Sequence, residues 1–162
     1  MDFELKSHEP VALLTATPGN LSFGEVTLIL DSIKPGDAAR GMVPYYHFRI
    51  RDAEGADVGH INLRVGDTEH IRVCAGHVGY KIAPEFRGHR YAYQACRALA
   101  PFIRTIYDAV VLTCAPTNMP SIRTIERLGA TFIDEIAVPE SDPTYLRGSR
   151  IKRQYFWTPD VP

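Results

Sequence analysis

The stretch from residue 71 to residue 114 limits the fold more than any other part of this chain. Ile71 to Ala83 is an apolar segment that ends at Pro84, and a short basic loop, Arg87-Gly88-His89-Arg90, follows it. From Tyr91 to Ile106 the residues Ala92, Ala95, Cys96, Leu99, Phe102, Ile103 and Ile106 recur at helical spacing and form one apolar stripe. Ala109 to Cys114, AVVLTC, is a β-branched run of fully buried character. Strand, helix and strand in that order require a locally parallel pair joined by a right-handed crossover. Pro101 removes one backbone donor from the helix and is expected to bend it.

The flanking segments suit antiparallel pairing. Val26–Leu30, Tyr45–Arg51 and Val58–Val65 read as strands of a meander, with residues 31–44 a Pro- and Gly-punctuated loop. Ile71–Ala83 reads as a fourth, longer strand whose Gly76 and Gly79 mark a bulge or a close approach. Ser121–Leu128 is a short helix stopped by Gly129, and Thr131–Val138 and Ile151–Trp157 are the last strands, separated by the polar PESDPTYLRGSR. Residues 1–24 are a weakly patterned leader. The expectation for residues 1–162 is a single α+β domain. Its central sheet is mixed and mostly antiparallel, with a splayed parallel strand pair and flanking helices.

Eighteen Lys and Arg nearly balance nineteen Asp and Glu, so bulk charge gives no reason to expect a nucleic-acid partner. No apolar run approaches the ~18 residues a membrane span needs, and the N-terminus lacks the order of a signal peptide. Cys74, Cys96 and Cys114 are odd in number, each inside an apolar segment. They read as buried, inert thiols of a reducing compartment, the cytoplasm. Metal binding is not expected, since the histidines show no ligand spacing and no Cys-x-x-Cys occurs.

The segment with most chemistry is Gly79 to Ala92, GYKIAPEFRGHRYA. A helix start offers unpaired N–H groups and partial positive charge, and Arg87, His89 and Arg90 add full or potential charge in the same turn. Such a site fits a phosphate or diphosphate; a solvated helix-start cluster is the plain alternative. Neither a Walker loop nor a GxGxxG fingerprint is present. The segment resembles the acetyl-CoA-binding motif of the GNAT acetyltransferases, with its Arg/Gln-x-x-Gly-x-Gly/Ala core. Downstream, Asn118-Met-Pro-Ser121-Ile-Arg-Thr-Ile-Glu126-Arg-Leu128-Gly129-Ala130 resembles the second motif of that family. It is most similar to the branch that acetylates ribosomal-protein N-termini. The strict match covers 79–92 and 118–130, and the strand pattern extends it to roughly 26–157.

The resemblance implies that acetyl-CoA is the cosubstrate. Its pantetheine arm would run along Tyr80, Lys81 and Ile82, as an added strand would. The diphosphate would rest on Arg87, Gly88, His89, Arg90, Tyr91 and Ala92, with Asn118 and Ser121 holding the arm from the other side. Asn118 is equally suited to cap a helix. Two departures stand out. Arg90 occupies the central glycine position, where arginine disfavours positive φ, so either the loop avoids that conformation or Gly88 absorbs the strain. Ile125 occupies the place of the tyrosine that many members use as general acid, which leaves Ser121 as a candidate for assisting the thiolate.

His77, two residues before Gly79, is the leading candidate base, with a structural strand histidine as the alternative. His60 is the second candidate, and Glu69 and His70 in the adjoining turn are weaker. The resemblance implies an amine-bearing small molecule or peptide as the acceptor. The segment 31–44 replaces the family's two acceptor-site helices, so the groove is open, or closed by Pro139–Arg150, or closed by the second subunit of a homodimer. Tyr45, Tyr46, Tyr145, Arg147 and Arg150 are candidates to line it, most of them better read as packing or solvated charge. The expected reaction is N-acetyl transfer to a primary amine by direct attack, with a backbone N–H near Tyr80 stabilising the oxyanion. The alternative is a non-catalytic module that binds acyl-CoA or a partner.

Overall fold

The computed structural model describes residues 20–160; the first nineteen residues of the leader lie outside them. Among the described residues, eight strands form two sheets. The first sheet holds β1 (Ser22–Phe23), β2 (Val26–Lys34), β3 (Tyr45–Arg51), β4 (Asp57–Arg64) and β5 (Val78–Ile82) in sequential order. The second holds β6 (Val110–Cys114), β8 (Ile151–Trp157) and β7 (Thr131–Ala137), with β8 in the centre. Helix α1 (Tyr91–Ile106) connects them, α2 (Met119–Arg127) follows β6, and a single turn α3 (Pro143–Leu146) lies between β7 and β8. No helix among the described residues is long and apolar enough to cross a membrane.

Alternation builds the core. Tyr46, Phe48 and Ile50 of β3 face inward with Ile61 and Leu63 of β4. They meet the stripe of α1, where Phe102 stands edge-on to Tyr46 at 4.8 Å and to Phe48 at 5.9 Å between ring centres. All seven stripe positions lie in or against this core. The helix spans the predicted residues as one element with Pro101 inside it.

Three expectations need correction. First, Ile71–Ala83 is not one strand. His70–Ala75 is a π-helical turn and only Val78–Ile82 pairs with β4. Thr68 Oγ1 accepts from Ile71 N–H at 3.3 Å, Arg72 pairs with Asp67, and Gly76 closes the turn at φ 69°. These local bonds outcompete the β-branched pattern of IRVCA.

Second, the segment after Leu30 is not loop throughout. Strand β2 continues to Lys34 across a register shift between Leu30 and Ser32, and Ala38–Arg40 is a 3-10 turn. The end of the leader is a hairpin, with Ser22 opposite Thr27.

Third, every ladder between these strands is antiparallel, and β5 and β6 belong to different sheets. They meet only where β5 begins, through His77 N–H to the Val111 carbonyl at 2.8 Å, and the expected parallel pair is reduced to that junction.

Candidate active site

Because β5 and β6 meet only at that junction, a cleft of about 1090 Å³ opens between them. One edge of β5 is committed to β4, and the residues of β5 line the cleft. The π turn lies at the upstream end of β5 and the basic loop at its downstream end. Five strand residues, on the order of 16 Å, separate the two ends.

At the downstream end Gly88 has φ 93° and Arg90 has φ 61°, so the loop keeps the left-handed conformation at both positions. Arg90 is the only non-glycine residue among those described with positive φ. A Cβ in that region costs about 1 kcal/mol or more, a price that points to a use for the side chain. Arg90 also takes the N-cap position of α1, and no side chain caps the first-turn amides. Those amides and the guanidinium are therefore available to an anion at the mouth of the cleft. Arg87 is anchored by Nε donating to the Ile82 carbonyl at 3.1 Å.

Across the cleft, Asn118 Oδ1 accepts from Ser121 N–H at 3.2 Å, so the asparagine is the N-cap of α2. The Tyr80 hydroxyl and Ser121 Oγ are 2.8 Å apart and bridge β5 to α2. Burial pushes the Tyr80 phenol well above its usual range and keeps it protonated. Near the start of β5, a Cβ on Gly79 would sit 2.7 Å from Arg64 Nη2, so the guanidinium of Arg64 lies directly against the strand. Arg64 Nη1 donates to the Ala75 carbonyl at 3.0 Å and fastens the π turn to β4.

Tyr80, Lys81, Ile82, Arg87, Gly88, Arg90, Tyr91, Ala92, Asn118 and Ser121 all line the cleft. Three other candidates do not. His89 lies outside the lining, with its ring stacked on Tyr91 at 5.2 Å between centres. His60 is likewise outside, 5.2 Å from the His47 ring.

His77 is fully buried at the junction of the sheets. Its Nδ1 accepts from Val111 N–H at 2.9 Å, its carbonyl accepts from Arg64 N–H at 2.7 Å, and its ring lies 4.6 Å from that of Tyr107. Burial lowers its pKa to about 4. A residue so enclosed does not reach an acceptor in the cleft. His77 is a structural histidine here.

Sequence reasoning gave little weight to His70 and none to Asp142. Both are buried, and His70 Nδ1 stands 2.7 Å from Asp142 Oδ2. Asp142 is also the N-cap of α3, Oδ1 accepting from Thr144 N–H at 2.7 Å. Hydrogen bonds from His70 and Thr144 outweigh its burial and hold the carboxyl below its usual pKa. Asp-Pro at a helix start was the available signal.

One ring nitrogen of His70, Cys74 Sγ and a carboxylate oxygen of Asp142 lie within 4.8 Å of one another, a grouping that sequence spacing had not suggested. Burial raises the Cys74 and Cys96 thiols to about 12 and also raises Cys114, so all three are poor nucleophiles. Of the expected acceptor-side residues, Tyr45 and Arg147 line the cleft. Tyr46 is core, and Arg150 packs over the Tyr145 ring at 3.7 Å, outside the lining.

The family model described as an acetyltransferase (GNAT) domain matches residues 7–131. No curated protein sequence matches the chain. Among solved structures, a ribosomal-protein-S5-alanine acetyltransferase from Vibrio fischeri superposes with TM-score 0.62 at 13% identity, over 90% of this chain and 100% of that one. The microcin C7 self-immunity acetyltransferase MccE, in complex with acetyl-CoA and AMP, gives 0.55 at 17% identity. The match covers 70% of this chain and 61% of that one. The ribosomal L7/L12 α-N-protein acetyltransferase RimL, in complex with coenzyme A, gives 0.54 at 15% identity, over 73% of this chain and 64% of that one. The chain thus spans less than two thirds of the length of the last two, and these likenesses speak to the fold. With the family model matched across most of its length, and with two sheets parting along β5 and β6, this chain belongs to the GNAT acetyltransferase family.

Proposed function

We propose that the protein is an acetyl-CoA-dependent N-acetyltransferase that passes an acetyl group to a primary amine by direct attack. The observation that carries the reading is the cleft beside β5, which ends at a left-handed basic loop and an uncapped helix start. A diphosphate fits the amides following Gly88, with Arg90 and the Nη groups of Arg87 as charged donors. An extended amide-bearing arm fits along Tyr80–Ile82. The residues present suit coenzyme A, which brings the acetyl group as a thioester.

The chain supplies the remaining chemistry. A strand N–H near Tyr80 faces the carbonyl oxygen as charge develops on it. The Tyr80–Ser121 hydroxyl pair provides a proton for the leaving thiolate from a different element than the missing tyrosine at Ile125. Structural neighbours include a ribosomal L7/L12 α-N-protein acetyltransferase and a spermidine N-acetyltransferase, so peptide and polyamine amines are the first acceptors to try. The test is calorimetric titration with acetyl-CoA, followed by thiol release and mass-spectrometric detection of acetylated amine across an amine panel. Binding with amine-dependent release supports the reading. Binding without release on any amine points to a binding module, and no binding rejects both.

A further inference from the structure

The end of the cleft away from the basic loop holds a buried ion-pairing couple that the reading above leaves unused. We infer that His70, oriented by Asp142, is the general base that takes the proton from the acceptor ammonium. The inference rests on the acetyl-transfer reading and adds the residue which makes the amine nucleophilic.

Four observations converge. His70 lines the cleft at the upstream end of β5, where an acceptor meeting a thioester beside the strand would enter. Its Nδ1 is committed to Asp142 Oδ2 at 2.7 Å, so the neutral ring carries its proton on Nδ1 and its lone pair on Nε2. Asp142 is itself held by the Thr144 amide at 2.7 Å. The π turn bearing His70 is fixed on three sides. Thr113 Oγ1 donates to the Cys74 carbonyl at 2.7 Å, Gln154 Nε2 to the Arg72 carbonyl at 2.6 Å, and Arg64 Nη1 to the Ala75 carbonyl at 3.0 Å. A base held this way loses little entropy on reaction.

The other groups at this end do not replace it. Cys74, on the same turn, is a protonated thiol that interacts with Asp142, and Glu69 and Lys152 act on it electrostatically. Arg147 and Thr144 come from the α3 segment, and Arg147 is a cation. Asp37 lines the cleft but is paired with Arg40 at 3.5 Å.

The protons and electrons balance. His70 Nε2 takes one proton from the ammonium and passes it to solvent. The freed nitrogen pair forms the N–C bond to the acetyl carbonyl, and the C–S bond breaks with its pair on sulfur. The thiolate is protonated from the Tyr80–Ser121 pair, and the second nitrogen proton, released as the amide forms, passes through water to restore that pair, so one proton in all is left in solvent.

The test uses the full chain with acetyl-CoA and two amines, spermidine and a peptide amide with a free alanine N-terminus. His70→Asn keeps a donor near the Nδ1 position for Asp142 but removes the base. It should lower kcat/KM by about 10²-fold or more, while acetyl-CoA affinity changes less than about 3-fold. The acidic limb of the log(kcat/KM)–pH profile attributable to the enzyme should vanish, leaving only that of the amine. Asp142→Asn retains the α3 cap and acts through His70. It should lower kcat by about tenfold with little change in KM, and alter the acidic limb that the wild-type enzyme contributes. A purely structural pair would leave the limb in place.

Wild-type kcat/KM in a folded His70→Asn protein overturns the inference and leaves acetyl transfer standing. A wild type that binds acetyl-CoA but acetylates neither amine overturns both. Activity abolished by EDTA and restored by zinc would make His70, Cys74 and Asp142 a metal site and also overturn it.

Discussion

The Tyr80 hydroxyl lies 2.8 Å from Ser121 Oγ, and this pair is the direct side-chain bridge between the strand edge of the cleft and the helix that forms its far wall. The sequence had left the leaving-group position without a tyrosine, because Ile125 is buried in the core. In the proposed reaction a phenol reaching over from β5 takes that role. Tyr80→Phe should lower kcat by about 10²-fold with near wild-type acetyl-CoA affinity, measured by thiol release and calorimetry. An unchanged kcat would remove the hydroxyl from the reaction.

Arg90 carries a conformational cost that glycine would not. Arg90→Gly should relieve about 1 kcal/mol of left-handed strain and raise Tm by roughly 1–4 °C, yet weaken coenzyme A binding by about 1–3 kcal/mol. Differential scanning calorimetry and titration calorimetry read the two effects separately. A variant that is more stable and binds as tightly as wild type would show the guanidinium to be idle. Comparing coenzyme A with its dephospho form in both proteins tells whether Arg90 reads the 3′-phosphate. An identical preference in the two excludes that role.

Arg87→Ala should weaken coenzyme A binding by about 1–3 kcal/mol. It also removes the Nε bond to the Ile82 carbonyl, so Arg87→Lys is the informative companion. Lysine restores the charge but not the fork, and should recover only part of the affinity. Full recovery would mean that the charge alone matters.

His77 makes stability depend on pH. Its folded pKa is about 4 against an ordinary 6.5, so between these values the unfolded chain binds more protons. Its contribution is present above pH 6.5 and is lost as pH falls toward 4, a change of about 3 kcal/mol. Urea unfolding of wild type and His77→Gln at pH 7 and pH 4.5 should show a smaller acid loss in the variant. Equal losses would mean that the imidazole is not held neutral.

Much of this architecture was legible in the residues. The seven-residue stripe of α1 and the alternation of Tyr46, Phe48 and Ile50 report burial directly, and burial fixed both elements. The basic loop and the start of α1 were legible for a related reason: both are local in sequence. The base was not. His77 and His70 sit in one apolar stretch whose β-branched residues imitate a strand. What separates their fates is the π turn, set by Thr68, the Asp67–Arg72 pair and Gly76. Asp142 lies 72 residues from His70 in a segment without periodicity, so only tertiary structure could pair them.

A crystal structure of the protein with acetyl-CoA examines the cleft assignment most directly. The diphosphate should rest on the amides following Gly88 beside Arg90, the pantetheine along Tyr80–Ile82, and the thioester between β5 and the Tyr80–Ser121 pair. Density for the nucleotide end at the His70–Asp142 end of the cleft, or outside the gap between β5 and β6, would contradict the assignment.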